Sequence, residues 1–366
     1  MMISRLSMLI GLVAVLAGCT TISTTATTQA VIPLATQTIS SQFVTPPPGT
    51  PMQSTASLLA PLGLSGRLVF TNAPNDVEQL DLSTGVLSTV LSPDGFVMSS
   101  SVSPDGTQIA LAYQESLSFS TDSVVPAYGY TNIYLMPAQG GEPTLYLKGD
   151  SDDEILLLPF WSPDGKYLYF IHFHPDVNEY NLERVAYPDT EPETVVKNVL
   201  FSQLSTDGSK LVYVGIDPST SRTSLHIADS TGANDITLVD ATMFYTMDVA
   251  IFTPDNQSVI FSAVEGAPSS FKPSADVHAR VLFTDRLPRG ALHGNLPSDL
   301  WQVSIEGGAP KQLTDLREFS IHPAFSPDGQ HLAMRAVGGI YLMNPDGTIQ
   351  VHLTEGGGFG TMEWIP

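Results

Sequence analysis

The chain has one cysteine, Cys19, among 366 residues, so no disulfide can form within it and packing must hold its folded part. Basic residues are scarce as well. Lys and Arg number 15 against 37 Asp and Glu, a formal net charge of −22. A surface of that balance repels phosphate backbones and anionic headgroups, so no nucleic-acid partner is expected. Charge of either sign is missing altogether between Arg5 and Arg67. The apolar run near the N-terminus, "LSMLIGLVAVLA", is too short to span comfortably as a permanent transmembrane helix. No G-x-S-x-G motif for a nucleophilic hydrolase is found, and the sequence calls for no cofactor. "EGGGFG" at Glu355 to Gly360 has the glycines of a phosphate loop but opens no helix, and it reads as a turn between the last two strands.

What is present at the N-terminus has the layout of an export signal: a short positive region at Arg5, the apolar run, then small residues. The run leads directly into Leu16, Ala17, Gly18 and Cys19. This stretch resembles the bacterial lipoprotein signal. The resemblance implies that residues 1–18 are removed and that Cys19 is lipidated, anchoring an extracytoplasmic protein to the membrane. An ordinary signal peptide that happens to contain a Cys is the alternative. Lipid would explain the lone thiol, and each buried CH₂ of an acyl chain contributes about 0.8 kcal/mol. From 19 to 62 the composition turns to Thr, Ser, Ala, Gln and Pro with no sustained apolar period, which reads as a flexible tether. A coil of about 40 such residues has a typical end-to-end distance of roughly 35 Å.

From Gly66 onward the text repeats. "SVSPDGTQIALAY", "PFWSPDGKYLYFI", "SQLSTDGSKLVYV", "AIFTPDNQSVIFS" and "PAFSPDGQHLAMR" are five copies of strand, tight turn, strand. Pro sets φ near −65° at the second turn position, Asp bonds back to the local backbone, and Gly accepts a left-handed conformation. Asn256 replaces Gly but tolerates positive φ, and Thr206 replaces Pro with a loss of rigidity only. A second pair of strands follows the copies, as in "NIYLMPAQGGEPTLYL" and "GIYLMNPDGTIQVHLT". Four antiparallel strands recurring every 40 residues or more predict an all-β fold, a β-propeller.

These copies resemble the TolB-type propeller repeat over residues 63–366. TolB proteins carry a separate N-terminal domain where this chain has its tether, so a place in the Tol–Pal system is not expected. The first unit, from Gly66, lacks its innermost strand. The terminal "GTMEWIP" aligns with "LPFWSP", setting Trp364 over Trp161 and Pro366 over Pro163. The ends of the chain are therefore expected to close the ring in one shared blade, for six blades in all. A seventh would need very short strands inside the long fifth unit. The extra "SPDG" at Ser92 to Gly95 lies too near the next copy to be a blade and reads as a connection.

Connections between second and third strands, and between blades, emerge on one face of a propeller. The long inserts fall in them, and loops on a rigid scaffold are where recognition resides. His172 and His174 alternate at a strand end, so their rings point the same way. The plain reading is two polar residues ending a strand; the sharper one is chelation of a transition metal. Asp150, Asp152, Asp153 and Glu154 lack the spacing of a calcium loop and read as a solvated acidic connection. Arg280, Arg286 and Arg289 are candidates to grip a carboxylate. Tyr128, Tyr130 and Phe271 are candidates to stack on a sugar or peptide, whereas Trp301 aligns with a strand and reads as core. The sequence thus points to a lipid-anchored binding or scaffolding propeller for an envelope protein, peptide or glycan, with no catalytic residue assigned. The alternative is a metal-assisted, lyase-like enzyme on polysaccharide using His172 and His174. Cys19→Ser is expected to move the protein from the membrane to the soluble fraction with an unchanged circular dichroism spectrum. Equal membrane retention of the variant contradicts the lipid anchor.

Overall fold

A computed structural model describes residues 55–72, 76–115, 118–119, 126–127, 130–266, 296–355, 358 and 360–366. The chain divides into two units, Met1–Pro51 and Met52–Pro366, and all described residues belong to the second. Among them no helix is long and apolar enough to cross a membrane.

The described residues of the second unit form six four-stranded antiparallel sheets and one two-stranded sheet, Ser118–Phe119 with Pro126–Ala127. From the inner strand outward, blade one is Met362–Ile365, Arg67–Asn72, Asp76–Asp81 and Leu87–Leu91. Blade two is Phe96–Val102, Gln108–Gln114, Asn132–Pro137 and Thr144–Leu147. Blade three is Ile155–Trp161, Tyr167–His174, Glu179–Ala186 and Glu193–Lys197. Blade four is Val199–Leu204, Lys210–Ile216, Thr223–Asp229 and Ile236–Val239. Blade five is Thr246–Phe252, Ser258–Val264, Asp299–Ser304 and Lys311–Gln312. Blade six is His322–Phe325, Leu332–Ala336, Gly339–Met343 and Ile349–Glu355. Sheets packed face to face bury both sides of their second strands, which is why these read as nearly unbroken apolar text such as "QIALAYQ" and "SVIFSAV". Outer strands such as Leu87–Leu91 remain partly exposed. Ser92 to Gly95 joins blade one to blade two, as expected.

The repeated turn is built around its first residue, for which the sequence reading had no role. The hydroxyls of Ser103, Ser162, Ser205, Thr253 and Ser326 each donate to the Asp two positions on, at 2.6–2.7 Å. Each also accepts the N–H five positions on, at 2.9–3.0 Å. The fourth residue is left-handed, Gly106 at φ 69° and Asn256 at φ 56°. The two departures from the pattern are partners: Asn256 Nδ2 donates to Thr206 Oγ1 at 2.9 Å, and the Thr206 N–H donates to Asn256 Oδ1 at 3.1 Å. They tie the turn of blade four to that of blade five.

The ring closes through the end of the chain. Arg67 pairs with Ile365, Leu68 with Trp364, Val69 with Glu363 and Phe70 with Met362. Trp364 is 8% exposed, packs with Leu68 and Phe70, and donates its indole N–H to Ser65 O at 3.2 Å. The residue before the strand also stitches blade one to blade two. The Thr361 N–H donates to Thr71 Oγ1 at 2.8 Å, and its hydroxyl donates to Ser100 O at 2.9 Å. At the opposite seam Arg335 is buried between blades six and one, over the Phe70 ring, with a guanidinium N–H reaching Gly360 O at 3.4 Å. One boundary differs from the sequence reading. Residues 55–62, taken there as the end of the tether, form an α-helix at Thr55–Leu59 and a 3₁₀ turn at Ala60–Leu62, and Leu59 is buried against the closing blade.

The inner strands surround a central cavity of about 390 Å³. Glu363 borders it, and its Oε2 accepts the Val102 N–H at 2.7 Å. Gln203 holds the same position in blade four and accepts the Phe252 N–H at 3.3 Å. Glu363 is half-buried among the inner strands. Burial therefore raises its pKa to about 7, outweighing the hydrogen bonds from Val102 and Ser101. The folded state then binds this proton more tightly than the unfolded chain, so stability falls as pH rises from about 4.5 to 7. Glu363→Gln is expected to remove that decline and raise the melting temperature by a few degrees at pH 8; an unchanged pH profile contradicts the burial argument. Deleting Thr361 to Pro366 strips blade one of its inner strand and the core of Trp364. Truncating a core Trp costs about 3–5 kcal/mol, so the deletion is expected to melt far below the intact chain or to aggregate. A melting temperature equal to that of the intact chain contradicts closure.

Candidate functional site

His172 and His174 end the second strand of blade three. Successive side chains of a strand alternate, so Leu168, Phe170, His172 and His174 share one face. Leu168 and Phe170 bury that face with Leu147, Leu156 and Trp161, towards blade two. Tyr169, Ile171 and Phe173 pack the other way, towards blade four. The strand thus has an apolar body and a two-histidine tip at the seam between blades two and three. The ring centroids lie 3.8 Å apart.

Two carboxylates meet this tip from different elements. Glu183 comes from the third strand. His172 is paired with Asn181 and His174 with Glu179, so Glu183 stands diagonal to His172 on the same face. Its Oε2 is 3.0 Å from His172 Nδ1, and its Oε1 is 3.5 Å from His174 Nε2. Glu154 comes from the connection between blades two and three. A Cβ on Gly149 would sit 2.7 Å from that of Glu154, so the absence of a side chain at Gly149 admits the carboxylate. The Asp150 N–H donates to Glu154 Oε2 at 2.6 Å. Glu154 Oε2 lies 3.3 Å from His172 Nε2, and its Oε1 lies 3.3 Å from His174 Nδ1.

The cluster is largely shielded from solvent. Side-chain exposure is 10% for His172, 9% for Glu183 and 14% for Glu154, rising to 26% for His174, so the cluster opens to solvent past His174. Burial disfavours a charged imidazole, yet Glu183 and Glu154 together hold the His172 pKa above its usual value. For Glu154 burial is likewise outweighed, here by the Asp150 N–H and the charge of His172, and its pKa is lowered. His172 also lines a cavity of about 210 Å³ with Tyr146, Leu156 and Phe170. One ligand atom each from Glu154, His172 and His174 falls within 4.8 Å of the others, a donor set of two nitrogens and an oxygen within reach of a single divalent ion.

The two histidines expected to act together are therefore brought together. The acidic connection is corrected in one member: Asp150, Asp152 and Asp153 are exposed, with Asp152 paired to Lys148 at 3.0 Å, whereas Glu154 turns inward to the histidines. Glu183 was missed, because only the register of the hairpin reveals it. Tyr130 is half-buried against the core between blades three and four. Trp301 is a strand residue packed edge-on to Phe244, their centroids 4.8 Å apart. Cys19, Tyr128, Phe271, Arg280, Arg286 and Arg289 lie outside the described residues.

No family model and no curated relative matches the chain by sequence. Solved structures do match the fold. TolB from Acinetobacter baumannii superposes with a TM-score of 0.54 and 18% identity, over 85% of this chain and 70% of that one. A putative TolB from Agrobacterium tumefaciens gives 0.54 and 16%, over 82% of this chain and 99% of that one. A chain of the nidogen/laminin complex gives 0.54 and 12%, over 81% and 98%. At such identities the likeness is one of fold. The Ser-Pro-Asp-Gly turns, the four-stranded blades and the terminal strand that closes the ring make this unit a TolB-like six-bladed β-propeller.

Proposed function

We propose that the chain is a lipid-anchored, extracytoplasmic binding propeller that engages an envelope protein, peptide or glycan through one face of its ring. One observation carries the reading. The second strands of blades two, three and five end at Gln114, His174 and Val264, and the third strands begin at Asn132, Glu179 and Asp299. The two longest inserts thus leave the ring from the face on which the histidine cluster opens. A rigid closed scaffold with its variable connections on one side suits recognition. The fold is also that of a chain in the nidogen/laminin complex, a propeller-class structure solved with a protein partner, which supports a protein ligand. Fold alone does not decide function. A second reading, a metal-assisted enzyme on polysaccharide, is favoured by the Glu154, His172 and His174 donor set.

The two faces allow a controlled test. A photo-crosslinking residue at Val177, in the turn after His174, samples the insert-bearing face; one at Ser209 samples the face of the Ser-Pro-Asp-Gly turns. Intact cells are expected to yield a discrete adduct from Val177 and none from Ser209. Equal labelling from both, or none from either, contradicts face-specific recognition. Metal-dependent depolymerisation of an acidic polysaccharide, lost in His174→Ala, would instead support the enzyme.

A further inference from the structure

We propose that Glu154, His172 and His174 form a divalent-metal site of the zinc class and that Glu183 is its orienting carboxylate. The site is independent of the partner reading above. Its argument is the division of labour between the two faces of the histidine pair. Glu183 addresses His172 Nδ1 and His174 Nε2, while Glu154 addresses the opposite nitrogens, His172 Nε2 and His174 Nδ1. A neutral imidazole carries one proton, and the hydrogen bond made by one nitrogen decides which nitrogen keeps a free lone pair. With Glu183 Oε2 accepting from His172 Nδ1, the lone pair of His172 Nε2 is turned towards Glu154, whose Oε1 is in hydrogen-bond contact with His174 Nδ1 at 3.3 Å. Ligating histidines characteristically donate their far N–H to a carboxylate in this way. Here Glu183 does so for His172.

The near side does not look like a finished hydrogen-bond network. Charge-assisted N–H···O bonds are about 2.7–2.9 Å long. The contacts to Glu154 are 3.3 Å, that to His174 Nδ1 being a long hydrogen bond, whereas His172 Nδ1 to Glu183 is 3.0 Å and His174 Nε2 to Glu183 is 3.5 Å. His172 Nε2 is fully buried, in a residue 8% exposed, and has no hydrogen-bond partner of acceptable geometry. A buried polar nitrogen left so has lost its water without replacement. The 3.3 Å from His172 Nε2 to Glu154 Oε2 is also about one edge of a tetrahedron whose centre is 2.0–2.1 Å from each ligand, the zinc–nitrogen and zinc–oxygen distance. Three protein ligands leave a fourth position for water on the solvent side past His174. The donor set of two imidazoles and a carboxylate suits Zn²⁺ and excludes Ca²⁺ or Mg²⁺ as the preferred ion.

The test is metal binding by the full mature protein after chelator treatment, titrated with Co²⁺ as a spectroscopic stand-in and then with Zn²⁺. The expected result is one Co²⁺ per chain with the visible absorption of a four-coordinate ion, displaced by one equivalent of Zn²⁺. Zn²⁺ is also expected to raise the melting temperature. Glu154→Gln and His174→Ala are expected to lose both responses. Because His174 is the most exposed member, its variant is expected to keep the circular dichroism spectrum of the parent. Glu183→Gln is expected to keep the stoichiometry and weaken affinity by about 10–100-fold, the effect of a second-layer partner. No saturable binding by the folded parent, or undiminished binding in His174→Ala, overturns the site. Complete loss in a folded Glu183→Gln overturns the assignment of its role.

Discussion

The pairing of Met362–Ile365 with Arg67–Phe70 is the contact on which every other blade depends. An open arc of blades would leave Arg67–Asn72 as an unpaired inner edge and expose one face of each end blade to water. Closure removes both defects, and it does so with few residues because each is used more than once. Trp364 fills the seam between blades six and one, Glu363 accepts a backbone N–H of blade two, and Thr361 bonds to both blade one and blade two. The cost is a half-buried carboxyl in the ring's centre. Gln203 makes the equivalent contact without a charge, so the penalty at Glu363 belongs to its ionisation and not to the position.

A ring so closed has little freedom to splay, and this gives the histidine cluster its significance. Its members come from the connection after blade two and from two strands of blade three. They are held by blade packing that fixes Phe170 and Leu168 beneath them. A site spread over a seam needs the seam to be rigid before its donors can converge. The second strands of blades two and five, from which the longest connections leave, end on the same face.

Much of this was legible in sequence, for physical reasons that differ by feature. The strands and the blade count follow from short apolar runs punctuated by recurring turn residues, and closure follows from a first unit that lacks its inner strand and a terminal strand that matches it. The pairing of Thr206 with Asn256 was not legible: each looked like a tolerated lapse, and only the adjacency of two turns shows that they bond to each other. The turn serines were visible but mute, since their role lies in two hydrogen bonds across five residues. For the site, alternation on one strand gave the histidine pair. Glu183 required the hairpin register, and Glu154 required the path of a connection past Gly149, neither of which composition encodes. Leu59 was hidden for the same reason, one of a few leucines at the end of polar text whose cluster includes residues at the far end of the chain.

Native-state hydrogen exchange tests the central claim most directly. If the terminal strand completes the ring, the paired amides within Met362–Ile365 open only with the whole propeller. They are then expected to exchange with the same free energy as the slowest amides of Tyr167–His174 in the middle of blade three. Exchange of the terminal strand at the near-zero free energy of a frayed chain end, with blade three still protected, would contradict the account.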